Sequence, residues 1–74
     1  MDERIYRTTL ERLMAERGLT PEATAELCNV DVASLYRVRD GSKRPTLQQA
    51  YRISAGLKLW AEDVFPAAEI LIET

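Results

Sequence analysis

Hydrophobic residues recur three and four positions apart along most of the chain, and polar residues fill the positions between them. This is the period of an α-helix that buries one face. The first such stretch predicts a helix from Glu3 to Arg17, with an apolar face made of Tyr6, Leu10, Leu13 and Met14. Gly18 follows it, and glycine readily takes the left-handed conformation that ends helices.

Two further helices, separated by a short polar turn, are predicted in the middle of the chain. Thr20 and Pro21 indicate the start of the second helix, because threonine caps free N–H groups and proline at the first position has no N–H to lose. The small residues Ala25 and Cys28 favour the close approach of another helix. Asn29 tolerates positive φ and is expected to end the segment.

The third predicted helix begins after Asp31, a strong N-cap residue, and ends at Asp40-Gly41. Leu35 and Val38 supply its inward face. The remaining positions lie on other faces of the helix and include Val32, Ala33, Ser34, Tyr36 and Arg37.

A capping box, formed by Thr46 and by Gln49 three residues later, predicts the start of a fourth helix. That helix runs to about Leu57, with periodic apolar positions at Leu47, Ala50, Tyr51, Ile53 and Leu57. A short fifth helix is predicted near Ala61–Phe65, stopped by Pro66. Residues 67–74 fit a strand and a helical end equally well.

The net charge of −2 is distributed unevenly. Residues 32–58 carry six basic side chains and one acidic one, a balance of +5. Residues 1–31 carry four basic and seven acidic side chains, and residues 59–74 carry four acidic and no basic ones. The positive charge is thus concentrated in the middle segment, where a nucleic-acid-binding face would need it. The alternative is a solvated surface that is merely basic.

Composition argues against several classes of protein. A length of 74 residues allows one domain at most. There is no histidine and a single cysteine, Cys28, so an internal disulfide is impossible and a zinc site or a histidine-based active site is not expected. We therefore expect no enzyme activity, metal, cofactor or small-molecule ligand. No apolar run approaches the ~20 residues of a membrane span, and the N-terminus lacks a signal-peptide layout, which predicts a cytoplasmic protein.

The stretch from Leu10 to Phe65 resembles, without gaps, the Cro and lambda-repressor-type helix-turn-helix family, also called XRE. The resemblance is carried by Leu10, Leu13, Gly18-Leu19-Thr20, Ala25, Val30, Leu35, Gly41, Pro45, Leu47, Ile53, Leu57 and Phe65. It implies an all-α, compact five-helix lambda-repressor-like DNA-binding domain over residues 1–66, with the helix-turn-helix at about residues 20–40. Residues 67–74 would form a tail, as a short strand or helix, that serves dimerisation.

The resemblance also implies a function: a short Cro-like transcriptional regulator from a phage or bacterium. Such a protein would bind double-stranded DNA at a near-palindromic operator, as a homodimeric repressor. Base contacts would come from Val32, Ala33, Ser34, Tyr36 and Arg37. Phosphate contacts would come from Thr20, Arg39, Lys43 and Arg44. The dimer interface would use Trp60, Val64, Phe65, Ile70, Leu71 and Ile72.

A second hypothesis is a protein-binding adaptor, antirepressor-like or antitoxin-like, that has lost operator recognition. Relatives usually carry a DNA-anchoring glutamine where this chain has Pro21, and proline cannot donate a hydrogen bond. The acidic balance of the whole chain and the apolar residues of the third helix favour the same hypothesis. Many relatives pair an arginine in the first helix with a glutamate in the third, and this chain has Met14 and Arg39 at those two positions. Arg39 would therefore be left to face phosphate or a partner protein.

Overall fold

The computed structural model describes residues 6–66, which form five α-helices and no β-strand. These are α1 (Thr9–Arg17), α2 (Pro21–Cys28), α3 (Val32–Asp40), α4 (Leu47–Leu57) and α5 (Ala61–Val64). The all-α, five-helix architecture predicted from the hydrophobic period is thus confirmed. Within the same residues, no helix has the length and apolar character needed to cross a bilayer.

The first helix begins later than the periodicity predicts. Thr8 is its N-cap, and the Thr8 hydroxyl accepts the backbone N–H of Glu11 at 3.0 Å. The Glu11 carboxylate in turn accepts the backbone N–H of Arg7 at 2.7 Å. Residues 6–8 are therefore not helical and the predicted start was wrong, while residues 3–5 lie outside the described part. Threonine followed three residues later by glutamate is a capping signature that was present in the sequence.

The other helix starts lie where the cap residues predict them. The side chains of the three N-caps each accept a backbone N–H from three residues further along, at 3.1 Å: Thr20 from Ala23, Asp31 from Ser34 and Thr46 from Gln49. The predicted capping box of α4 is complete, because the Thr46 N–H donates to the Gln49 side-chain oxygen. Asn29 ends α2 with a φ of 57°, as expected.

All five helices contribute to the core: α2 packs against α4 and α3, α1 against α3 and α5, and α5 against α4. The fifth helix carries Val64 and Phe65 into this core, where they are 0% and 2% exposed. The prediction that these two residues belong to a dimer interface is wrong, because their side chains are buried within one copy of the chain.

The crossing of α2 and α4 is very close at Gly56. A Cβ atom added there would lie 2.6 Å from Cys28 Sγ, 2.8 Å from Cys28 Cα and 3.0 Å from the Leu27 carbonyl oxygen. The Cys28 thiol also donates to the Ile53 carbonyl oxygen at 3.4 Å, and burial raises the pKa of this thiol. The close approach that the small side chain of Cys28 was expected to allow is confirmed, and the helix that comes close is α4.

The fourth helix buries a narrower stripe than its periodicity suggests. Its inward residues are Ala50, Ile53, Ser54 and Leu57. The Ser54 hydroxyl is satisfied by donating to the Ala50 carbonyl at 2.7 Å. Leu47 and Tyr51, one turn apart, remain 54% and 60% exposed, so these two apolar positions do not contribute to the core.

Candidate nucleic-acid interface

The third helix presents one exposed face and buries the opposite one. Leu35 and Val38 are 1% and 3% exposed and attach the helix to the core. Residues three and four positions apart are neighbours on one face of a helix. The exposed side consists of Val32, Ala33, Tyr36 and Arg37, and Ser34 is half-buried at its edge. The five residues predicted to contact bases are thus brought together on the outer side of α3.

A basic loop turns back beside this face. Gly41 ends α3 with a φ of 83°, and the N–H groups of Ser42 and Lys43 donate to the Arg37 carbonyl at 3.0 and 3.3 Å. The loop is anchored by the buried Pro45. These bonds place the backbone of Lys43 beside the turn of α3 that carries Arg37, and Arg44 follows in the loop.

We call Arg37, Lys43 and Arg44 the cationic cluster. Among residues 6–66, none of these three side chains forms a hydrogen bond or an ion pair. Lys43 and Arg44 also line a small cleft above Val38 and Phe65. Within residues 6–66 no carboxylate pairs with the cluster, so this part of the chain leaves its positive charge available to an external anion.

Arg39 differs from the cluster. Its Nε and terminal nitrogen lie 2.9 and 2.8 Å from the Asp40 carboxylate, which Arg7 also approaches at 3.5 Å. Its guanidinium carbon lies 5.0 Å above the centre of the Tyr36 ring. The structure therefore does not support Arg39 as a free phosphate contact, because its charge is already matched and its plane packs on an aromatic ring.

Glu22 reaches the same face from α2, a role that the sequence did not reveal. The Tyr36 hydroxyl donates to Glu22 Oε2 at 2.8 Å. This hydrogen bond lowers the pKa of the Glu22 carboxyl and raises the pKa of the Tyr36 phenol, so Glu22 is charged and Tyr36 neutral at physiological pH. The two residues are 14 positions apart, and neither period nor capping pattern links them.

The start of α2 is a poor anchor for phosphate. The Thr20 hydroxyl, predicted to contact phosphate, accepts the Ala23 N–H as the helix cap, although the residue remains exposed. Pro21 provides no N–H, and the adjacent Glu22 adds a negative charge at the end of the helix that would otherwise attract anions. Phosphate binding would therefore depend mainly on the cationic cluster.

Of the residues predicted at a dimer interface, Trp60 is the one that lies exposed in the described part. Its exposure of 75% is high for so large an apolar side chain, and it borders a shallow depression with Lys58 and Leu59. Residues Ile70, Leu71 and Ile72 lie outside the described residues.

No protein-family model, curated protein or solved structure matches this chain. What the protein does is therefore inferred from the outer face of α3, the cationic cluster and the contacts around Tyr36.

Proposed function

We propose that the chain is a sequence-specific DNA-binding regulator of the Cro type, acting in the cytoplasm as a homodimeric repressor. The observation that carries the proposal is the exposed outer face of α3, followed at once by the loop of Lys43 and Arg44, with the cationic cluster unpaired among residues 6–66. A helix that reads base edges needs both features: side chains free to enter a groove, and positive charge to hold the flanking phosphates.

The cationic cluster would supply most of the affinity. Each phosphate that a basic side chain neutralises adds about −0.9 to the slope of log affinity against log salt concentration. Lys43 and Arg44 follow the end of α3, where they would reach the backbone beside the groove that the helix enters. Their contribution would be the same for every DNA sequence, because phosphates carry no base information.

The outer face of α3 would supply the specificity. Arg37 is suited to a bidentate pair with guanine, which is worth about 1–3 kcal/mol of discrimination. Val32 and Ala33 have no side-chain polar atoms, but they can pack against thymine methyl groups. Arg37 is also the cluster residue that lies on the helix itself, so it links base reading to phosphate binding.

A homodimer would extend the recognised sequence. One helix of nine residues covers a few base pairs, whereas a two-fold pair of such helices reads two half-sites about one helical turn apart. Trp60 supports this part of the proposal, because a large exposed apolar side chain is a favourable anchor for a protein contact.

A protein-binding adaptor is the second candidate, and specific features favour it. Pro21 and Glu22 weaken the phosphate site at the start of α2. Leu27, Leu47 and Tyr51 are also exposed, which adds apolar surface for a protein partner. We prefer the DNA-binding function because a protein adaptor gives no reason for a cationic cluster that has no partner among residues 6–66.

Replacement of single cluster residues tests the proposal in a DNA-binding titration at several salt concentrations. Lys43→Ala should weaken binding to all duplexes alike and flatten the salt slope by about 0.9. Arg37→Ala should reduce discrimination at one base pair by about tenfold, from a lost pair of about 1–3 kcal/mol. Arg12→Ala is the control, because Arg12 lies on α1 and pairs with Glu16 at 3.3 Å.

The proposal is contradicted if Lys43→Ala and Arg37→Ala bind DNA no differently from Arg12→Ala. If the folded wild-type protein binds no duplex at all, the adaptor becomes the better explanation, and capture of a partner protein on the α3 face would be the next experiment.

A further inference from the structure

Tyr36 is held from two directions on the outer face of α3. Its hydroxyl is bound to Glu22 of α2 at 2.8 Å, and its ring carries the guanidinium of Arg39 at 5.0 Å. Arg39 is itself held by Asp40 at 2.8 Å. Contacts at both its ring and its hydroxyl favour one orientation of Tyr36, although the residue is 37% exposed.

We infer that Glu22 is a specificity-determining residue, which acts by holding Tyr36 in a single orientation for contact with one base-pair position. We call the hydrogen-bonded pair the Glu22–Tyr36 clamp. The inference rests on the proposed DNA-binding function, and it adds a residue of α2 to a recognition surface otherwise made by α3.

The Glu22–Tyr36 clamp determines which part of the Tyr36 side chain can contact DNA. Because the hydroxyl proton is donated to Glu22, it is not free to bond to a phosphate or to a base acceptor. The ring remains as the available surface, and apolar contact in the major groove selects for the thymine methyl group. A side chain that is already ordered loses little conformational entropy on binding, so the preference is sharper than for a mobile ring.

The charge of Glu22 also affects DNA binding of every sequence. Its carboxylate lies on the side of α2 that faces α3, where it repels phosphates whatever the base sequence. The repulsion lowers the affinity for all DNA, whereas the fixed ring favours one sequence. The uniform repulsion cancels from the ratio of specific to non-specific binding, so it is the fixed ring that increases this ratio, which decides how well a regulator finds its operator.

Two substitutions separate the effect of the Glu22–Tyr36 hydrogen bond from the effect of the Glu22 charge. Tyr36→Phe removes the hydrogen bond and keeps the Glu22 carboxylate. Glu22→Gln removes the charge and keeps an oxygen that accepts from Tyr36. The matched controls are Tyr51→Phe, on the exposed side of α4, and Glu26→Gln, one turn further along α2; among residues 6–66 neither wild-type side chain makes a hydrogen bond or an ion pair.

The measurement is selection from a random duplex pool, followed by titration of the selected duplex and of a scrambled one. Tyr36→Phe should reduce the preference at one base-pair position by about threefold to tenfold, with unchanged affinity for the scrambled duplex. Glu22→Gln should keep the preference and raise affinity for the scrambled duplex by about threefold. Both controls should match wild type.

The inference is overturned if Tyr36→Phe keeps the wild-type preference at every position, or if Glu22→Gln loses the preference while retaining its acceptor. Failure of the proposed function looks different, because wild type itself would then enrich no sequence. Circular dichroism of each variant confirms folding, which is expected because Glu22 and Tyr36 are both exposed.

Discussion

Replacing Gly56 with alanine should destabilise the protein, although alanine is the better helix former. In an exposed helix the change would stabilise by about 1 kcal/mol. Here the new Cβ would lie 2.6 Å from Cys28 Sγ, and 2.8 and 3.0 Å from backbone atoms of Cys28 and Leu27. Backbone atoms of a packed helix cannot move aside singly, so α2 and α4 would have to separate.

The expected size follows from these two opposing effects. Overpacking of a tight contact costs about 1–3 kcal/mol, and contacts with backbone place Gly56→Ala near the upper end. After the gain in helix propensity, a net loss of about 2 kcal/mol remains. For a domain of this size, that loss corresponds to a fall in Tm of about 10 °C. The same loss is a large part of the few kcal/mol by which so small a domain is stable.

Urea and thermal unfolding, followed by circular dichroism, measure the effect. The control Ala55→Gly, at the neighbouring exposed position, should cost about 0.5–1 kcal/mol through propensity alone. Adding Cys28→Ala to Gly56→Ala should restore little, because the contacts with Cys28 Cα and the Leu27 carbonyl remain. The reasoning is refuted if Gly56→Ala stabilises the protein or if loss of the sulfur restores full stability.

Three further predictions concern the core, acid sensitivity and self-association. Phe65→Ala should cost about 3–5 kcal/mol in urea unfolding, since Phe65 is buried; an effect on self-association alone would contradict this. The hydrogen bond from the Arg7 N–H lowers the pKa of the Glu11 carboxyl from 4.5. The charged carboxylate therefore stabilises the folded protein fully above pH 4.5, and this stabilisation is lost as the pH falls through the folded-state pKa. Glu11→Gln should remove this contribution from the difference in the free energy of unfolding between about pH 6 and about pH 3. An unchanged difference would exclude Glu11 as its cause. Trp60 is the sole tryptophan, and its emission should shift to the blue as protein concentration rises; a constant emission would exclude it from a homodimer contact.

Local signals in the sequence predicted the helices well, because each boundary is set by a few neighbouring residues. Thr20, Asp31 and Thr46 cap their helices through bonds to residues three positions away, so spacing alone identifies them. The start of α1 was misplaced because apolar periodicity was followed in preference to the capping pair of Thr8 and Glu11.

Tertiary features were predicted less well, because they depend on how distant residues meet. Small residues in α2 indicated a close crossing, but its partner Gly56 had no distinguishing local pattern. Hydrophobic residues at the end of the chain were assigned to an interface, yet Val64 and Phe65 complete the core. The helical period shows which residues share an apolar face, but it does not show which other part of the protein covers that face.

In the candidate site, too, some features could be predicted from the local sequence and others could not. The exposed side of α3 and the basic loop could be predicted from helical period and charge. The bond from Tyr36 to Glu22 and the pairing of Arg39 with Asp40 required the structure, because side-chain partners across and within helices compete. Whether a basic side chain is free or paired depends on its orientation, which the sequence does not give. Arg39 pairs with its neighbour Asp40, whereas Lys43 has no such partner among residues 6–66.

Selection from a random duplex pool with the purified wild-type protein, at about 150 mM salt, tests the central proposal most directly. We predict enrichment of a near-palindrome whose half-sites lie about one helical turn apart, the spacing expected for two copies of α3 in successive major grooves. A folded protein that enriches no sequence would contradict the proposal that α3 and the cationic cluster recognise DNA.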